Sequence, residues 1–468
     1  MPLSEPIRVA LLVPYWTFWE SSVGPAFRAD REAIAADVAA TLTAAGHDVV
    51  VRGLVSSPSE GTTMAATAGA GNADVVLVVQ SMAVPPTHAV AALDALADVP
   101  VVVWALQREP AIPADFGAAD ITRLGATVGT PMLTNVLARA GRVHQIVVGE
   151  GDEVVRVVRA AGLASRLGRV TIARVGTPIA GYDCVDVDDD ALREATGIRL
   201  VSVGPDEVAR RYRAVTEDEV DALRSEVEAG FDVEGPWHDD AARSVRLAAA
   251  LDALDADLGV DAGAMNCHVP EIRFAADPGV TPCFALGRET GRGVPWTCAG
   301  DVSTTVAMIV ARSLGGAALY HEIEAIDFET AEVALANSGE HDIGWCPAGQ
   351  RPRFRPNPWF ESDAHTGWGA WFELPAGPAS LVAFTPHPDE SSGFRLVVAE
   401  GEITSRSFPE SPTVGGAFRF AGALGVADAW KRWVTAGVNH HSAAAPGHLA
   451  ADIETVARFL GVGCVRVS

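Results

Sequence analysis

Side chains able to hold a cation or move a proton crowd between His321 and His365, among them His321, Glu322, Glu324, Asp327, Glu340, His341, Asp342, Glu361, Asp363 and His365. Carboxylates mixed with imidazoles form a donor set that suits Mn²⁺, Co²⁺ or Zn²⁺ better than Ca²⁺, which takes oxygen ligands. Solvated charges on loops would give the same composition, because ionised side chains are mostly exposed. A second cluster, His440 and His441, stands in Gly437-Val-Asn-His-His-Ser. Neighbours in a regular strand point to opposite faces. Both histidines can therefore serve one site only from an irregular loop, one on a metal and the other on substrate or a carboxylate. A polar loop ahead of the last helix is the plain alternative.

Asn266-Cys-His-Val-Pro-Glu-Ile-Arg places Asn266, His268, Glu271 and Arg273 where a loop at the carboxyl end of a strand would fall. Such loops collect ligand contacts in α/β sheets, although a turn with ordinary surface charges has the same make-up. Tyr15-Trp-Thr-Phe-Trp-Glu, directly after the first strand, offers Tyr15 and Trp16 as an aromatic platform for a sugar ring, a subunit contact or buried packing. Gly69-Ala-Gly precedes a strand instead of following one, so it is no dinucleotide fingerprint. No G-x-S-x-G nucleophile elbow occurs.

The elements that must position these residues change character along the chain. Apolar runs at Ile7–Pro14, His47–Val51, Asp74–Gln80 and Val99–Leu106 alternate with helical spacing at Asp30–Ala45 and His88–Ala97, which predicts parallel strands flanked by helices. A second set runs through the helix Pro131–Ala140, the strand Gln145–Val148, the helix Glu153–Leu167 and the strand Arg169–Val175, and then the helices Glu217–Ala229 and His238–Leu258. The last third thickens in Gly, Pro and Trp. Its strands at Ser380–Thr385, Arg395–Ala399 and Gly416–Phe420 read as antiparallel, with helices at Thr304–Leu314 and Leu449–Leu460. The expected architecture is α/β: two doubly wound, Rossmann-like parallel-sheet domains over 1–120 and 121–290, then an antiparallel β domain over 291–468 that carries the site.

A chain of 468 residues needs more than one core. It has no run of about 18 apolar residues and no basic leader, so neither a membrane span nor a signal peptide is expected. The six cysteines show no C-x-x-C spacing, which fits a reducing compartment, and a cytoplasmic location is expected. With 35 basic against 60 acidic residues, the net charge of −25 disfavours nucleic acid and anionic membrane as partners. Neutral small molecules, cations and other subunits remain.

Gly293-Val-Pro-Trp-Thr-Cys-Ala-Gly-Asp-Val-Ser-Thr-Thr, continuing to Ser313-Leu-Gly-Gly, resembles the L-fucose/L-arabinose isomerase family, in which an E-G-D or E-N-D motif opens a helix that ends in a small L-x-G turn. Ala318-Leu-Tyr-His-Glu-Ile is similar to that family's strand ending in an acidic metal ligand, Leu335-Ala-Asn-Ser-Gly to its next strand, and Gly437-Val-Asn-His-His to its C-terminal G-A-N-H or G-A-H-H loop. The resemblance, carried by short motifs in matching order, spans most of the chain.

It implies an aldose-ketose isomerase working through an ene-diol, with Mn²⁺ as the expected cation and a homo-oligomer, trimer or hexamer, as the expected assembly. By position, Glu322 corresponds to the second acidic ligand and His441, or else His440, to the C-terminal histidine, with His365 a further candidate ligand. Trp296, Asn337, His268, His440, Tyr15 and Trp16 are the expected substrate contacts. Where the family carries its first acidic ligand, this chain has Ala299, which removes a metal bond and a proton carrier together. Glu340, His341, Glu324 or His365 are the available substitutes, and Asp301 either acts in catalysis with Glu322 or caps the helix that follows it. The expected function is a metal-dependent sugar isomerase or a relative with altered chemistry. A catalytically silent sugar-binding or assembly protein and a metal-dependent lyase or hydrolase are the alternatives.

Overall fold

The computed structural model describes all residues except 1, 2, 4, 150, 238, 358–365, 410, 412 and 468. The chain forms two compact units, one of Glu5–Leu167 joined by Arg458–Leu460, the other chiefly Gly168–Ala457.

The first unit is a parallel sheet of five strands, β1 (Arg8–Pro14), β2 (Asp48–Val55), β3 (Val75–Gln80), β4 (Val101–Ala105) and β5 (His144–Val148), in the order β2-β1-β3-β4-β5. Strands covered by helices on both faces must be apolar throughout, and β3 and β4 are buried at every position. The alternation of side chains sends Val9, Leu11 and Val13 into one layer with Ile34 and Val38, and Ala10 and Leu12 into the opposite layer with Val76 and Leu93. The strand that the sequence groups with the second set, Gln145–Val148, instead lies in this sheet, paired in parallel with β4 from Val101↔His144 to Ala105↔Val148. It is an edge strand with Val148 68% exposed, and so short an apolar run carries no signal of the sheet it joins.

In the second unit the chain continues through β6 (Thr171–Val175), β7 (Arg199–Val203), β8 (Asp232–Val233), β9 (Ala262–Met265) and β10 (Trp296–Thr297). Four of these form a parallel sheet in the order β10-β9-β6-β7. The remaining strands are β11 (Leu319–Asp327), β12 (Glu332–Ala336), β13 (Arg353–Pro356), β14 (Trp368–Trp371), β15 (Gly377–Pro386), β16 (Phe394–Ile403), β17 (Val414–Phe420), β18 (His441–Pro446) and β19 (Gly463–Arg466). A small sheet joins β14, β13 and β8.

The antiparallel strands run in the order β15-β18-β11-β12-β17-β16, and β15 also pairs with β16 over ten residue pairs, so the sheet closes into a six-stranded barrel with β19 alongside β16. Its interior is filled by Leu319, Leu335, Leu381, Val397 and Phe418, among others. On the outside, the helix Val302–Gly315, buried over most of its length, lies against β15 and β18. Parallel α/β architecture followed by an antiparallel β region is therefore what the chain forms.

Candidate active site

The barrel contributes one wall of a cavity of about 280 Å³. β11 and β18 pair so that Glu322 stands directly across from His441, and Tyr320, two residues earlier, shares the face of Glu322. His321 points the other way and meets Ser442 Oγ at 3.2 Å. The Nε2 of His441 lies 3.2 Å from Glu322 Oε1, and its Nδ1 lies 3.0 Å from Asp301 Oδ2. Asp301 is the N-cap of the Val302–Gly315 helix: Oδ1 accepts the Thr304 amide at 2.8 Å and Oδ2 accepts the Thr304 hydroxyl at 2.7 Å. Burial alone would lower the pKa of His441, yet the hydrogen bonds of Asp301 and Glu322 outweigh it and lift the ring to about 9. Burial would likewise raise Glu322, but the His441 bond and the nearby imidazoles hold it below the usual range. The ring of His440, just before β18 begins, sits 3.7 Å from that of His441, centroid to centroid. Glu322, His440 and His441 can each present a ligand atom within 4.8 Å of the other two.

The facing wall comes from the carboxyl ends of parallel strands, where open α/β sheets hold ligands. Ile179 and Tyr182 follow β6, Cys267 and His268 follow β9, and Cys298 and Ala299 follow β10. Asn266 ties two of these loops together, donating to Thr177 O at 2.6 Å and accepting from the His268 amide at 2.9 Å. Ala299 has φ +58°, a left-handed conformation uncommon outside glycine. Gly300 follows at φ +72°, where a Cβ would come within 3.2 Å of Pro178 Cα. Strained backbone of this kind concentrates at functional sites.

Glu340 completes the lining. It follows β12 in an extended segment bridged to Ala370, is 2% exposed, and its Oε2 has no hydrogen-bond partner. Burial, reinforced by the charges of Cys267 and Glu322, raises it to about 8. The buried hydroxyl of Tyr320 also lacks a partner. Buried polar atoms are nearly always satisfied, and these two stand on the wall of one cavity, where they are free to meet a ligand's oxygens.

The chain is similar to sugar isomerases. It is 25% identical over 376 residues to the sulfoquinovose isomerases of Priestia aryabhattai and of Priestia megaterium, covering 78% of this chain and 79% of theirs. It is 24% identical over 324 residues to the L-arabinose isomerase of Clavibacter sepedonicus, covering 66% of this chain and 62% of that one. No family model matches the chain.

Of the residues expected from sequence, Glu322, Glu340, His268, His440 and His441 all line the cavity. Four do not. Asp301 is wholly buried behind His441, and its oxygens are committed to the helix cap and the imidazole, so it holds the ring in place and does not face the cavity. His341, next to Glu340 in extended chain, points the opposite way and packs against Trp371 and Phe372. Trp296 is buried beneath the sheet, with its indole N–H on Asp255 Oδ2 at 3.0 Å. The Asn337 side chain is spent on backbone, donating to Tyr320 O and accepting from the Gly339 amide. Tyr15 and Trp16 belong to the other compact unit, where Tyr15 bonds Glu20 and Trp16 stacks on Phe18. His365 lies outside the described residues. Sequence reasoning missed Tyr320 and the cavity-lining thiols Cys267, Cys283 and Cys298. Their signal was position: just past strand ends for Cys267 and Cys298, at the start of a helix for Cys283, and two residues before Glu322 on one strand face for Tyr320.

A divalent cation fits this donor set. One carboxylate and two imidazoles converge, and Asp301 takes the Nδ1 side of His441, which leaves Nε2 as the ligating nitrogen, the outer arrangement that metal-bound histidines favour.

Proposed function

We propose that the chain is an aldose-ketose isomerase of the L-fucose/L-arabinose isomerase type, with Glu322, His441 and His440 as the residues that hold a divalent cation, most suitably Mn²⁺. The observation that carries this reading is the cross-strand pair Glu322–His441 joined by His440 beside two unpaired buried oxygens. The similarity to two kinds of sugar isomerase supports it. Bound there, the cation would polarise neighbouring oxygens of the sugar.

Glu340 carries the proton. Its unpaired Oε2 takes the proton from the carbon bearing the hydroxyl and returns it to the neighbouring carbon, while the hydroxyl's own proton passes to the former carbonyl oxygen; Glu340 thereby does the work of the carboxylate that Ala299 lacks. A group raised to about 8 is well placed to exchange protons near neutral pH. The Tyr320 hydroxyl donates to a sugar oxygen, and Asp301 fixes the His441 ring. The lining residues include carboxylates, imidazoles, hydroxyls and thiols but, among the described residues, no guanidinium or ammonium. An uncharged sugar therefore suits this wall better than a sulfonated one.

The test is transfer of solvent deuterium into a panel of pentoses, 6-deoxyhexoses and sulfoquinovose by protein loaded with Mn²⁺. Exchange with an uncharged sugar is expected, and no exchange across the panel overturns the reading. The methyl of Ala299 on the cavity wall favours a second reading, a silent sugar-binding member. Calorimetric sugar binding with no exchange in the same panel would select it.

A further inference from the structure

The sulfurs of Cys267 and Cys298 lie 2.7 Å apart, and both line the cavity. Neither takes part in the chemistry proposed above. Their closeness follows from the sheet: β9 and β10 are adjacent and parallel, with Thr297 opposite Ala264, so the residues just beyond each strand emerge side by side. Three donors converge on Cys267: the Cys298 thiol, the His268 ring and the Ala299 amide, which sits in the left-handed turn. Donors of this kind stabilise a thiolate, the nucleophilic form of cysteine. The Cys298 thiol is held in the protonated form by that contact and by burial.

We propose that Cys267 and Cys298 are an oxidisable dithiol in the cavity wall, converted by hydrogen peroxide to a disulfide and restored by dithiol reductants. In the first step the Cys267 thiolate attacks one peroxide oxygen and the O–O bond breaks. The departing hydroxide takes the proton that His268 holds and leaves as water, and Cys267 becomes a sulfenic acid. In the second step the Cys298 sulfur attacks the Cys267 sulfur and the S–O bond breaks. The hydroxyl leaves with the Cys298 proton as a second water. Two thiols and one peroxide give one disulfide and two waters. The link draws a thiolate charge away from Glu340 and reshapes the wall that faces Glu322.

The other cysteines provide the control. Among the described residues, Cys184 is exposed and Cys283 is buried with its sulfur on the Asn357 amide, 3.2 Å away. Full-length protein would be treated with graded hydrogen peroxide, alkylated, and mapped by peptide mass spectrometry without reduction. The expected result is a single linked species joining the Cys267 and Cys298 peptides, formed at lower peroxide than oxidation of Cys184 and lost on adding dithiothreitol. In Cys298→Ser, Cys267 should accumulate as a sulfenic acid trapped by dimedone. The proposal is overturned if Cys267 and Cys298 both stay alkylatable at doses that oxidise Cys184, or if the variant gives no dimedone adduct at Cys267. Both readouts are independent of sugar turnover, so they stand or fall apart from the isomerase reading.

Discussion

The parallel sheet of the second unit has a cavity at each end, and the larger is the less interesting. At the amino ends of β6, β7 and β9 lies a cleft of about 460 Å³ lined by Arg169, Arg199, Asp252, Asp255, Glu289 and Arg292, against about 280 Å³ at the carboxyl ends. In the larger cleft most of the charged groups answer one another: Arg288 pairs with Asp252 at 2.8 Å, Arg292 with Glu289 at 3.1 Å, and Asp261 accepts the Thr171 amide at 3.0 Å, although Asp255 Oδ1 has no hydrogen-bond partner. The smaller cavity holds imidazoles, thiols and two buried oxygens with no partner. Buried carboxylates, each with one oxygen unpaired at Asp255 and at Glu340, thus occur at both ends, and what separates a site from a structural cluster is the company they keep: arginines paired with acids at one end, a carboxylate and two imidazoles converging within 4.8 Å at the other.

The largest expected effect belongs to Glu322. Glu322→Gln should lower isomerisation by about a thousandfold or more, and elemental analysis should find little bound metal; full metal content with intact turnover would put the site elsewhere. Glu340→Gln comes next, with a loss of about a hundredfold but metal retained. As a base, Glu340 works ionised, so wild-type kcat/KM should climb with pH and level off above about 8, and the variant should lose that limb. Asp301→Asn still caps the helix but weakens its hold on the imidazole, and metal affinity measured by titration should fall about 10–100-fold.

At the opposite cavity the expected effect is on stability alone. Burial raises Asp255 to about 7, against the pull of the Trp296 indole bond. Between the unfolded value and that point the unfolded chain has released the proton and the folded one retains it, so stability falls as pH rises, by up to about 4 kcal/mol. Asp255→Asn should remove its share of this slope, gaining about 1–3 kcal/mol near pH 8 relative to pH 5 in denaturant melts while leaving turnover unchanged; the slope that remains belongs to Glu289, which burial raises to about 9. A loss of activity there would erase the distinction between the two ends.

Strand period and residue type made much of this legible in advance. The valine-rich runs that became β3 and β4, and the acid and imidazole at Glu322 and His441, stand out in the sequence because burial and ligation demand those residues. Facing direction was harder to read. Glu340 and His341 are equivalent in composition, and only the bridge to Ala370 decides which of them sees the cavity. Trp296 and Asn337 sit in the right motifs yet are consumed by Asp255 and by backbone, contacts more than 10 residues away in the chain. Cys267 and Cys298 became neighbours through parallel pairing, which joins segments that local sequence cannot relate.

Closure of the barrel has a further consequence. Glu322 and His441 are 119 residues apart by number but fixed by one register, and in a ring of strands no single strand can slide without breaking pairing on both sides. Mutation can therefore hardly move this pair gradually. The loops beyond β9 and β10, where Cys267 and Ala299 stand, carry no such constraint, so new substrates and new chemistry would arise by inheritance from one wall and experiment on the other.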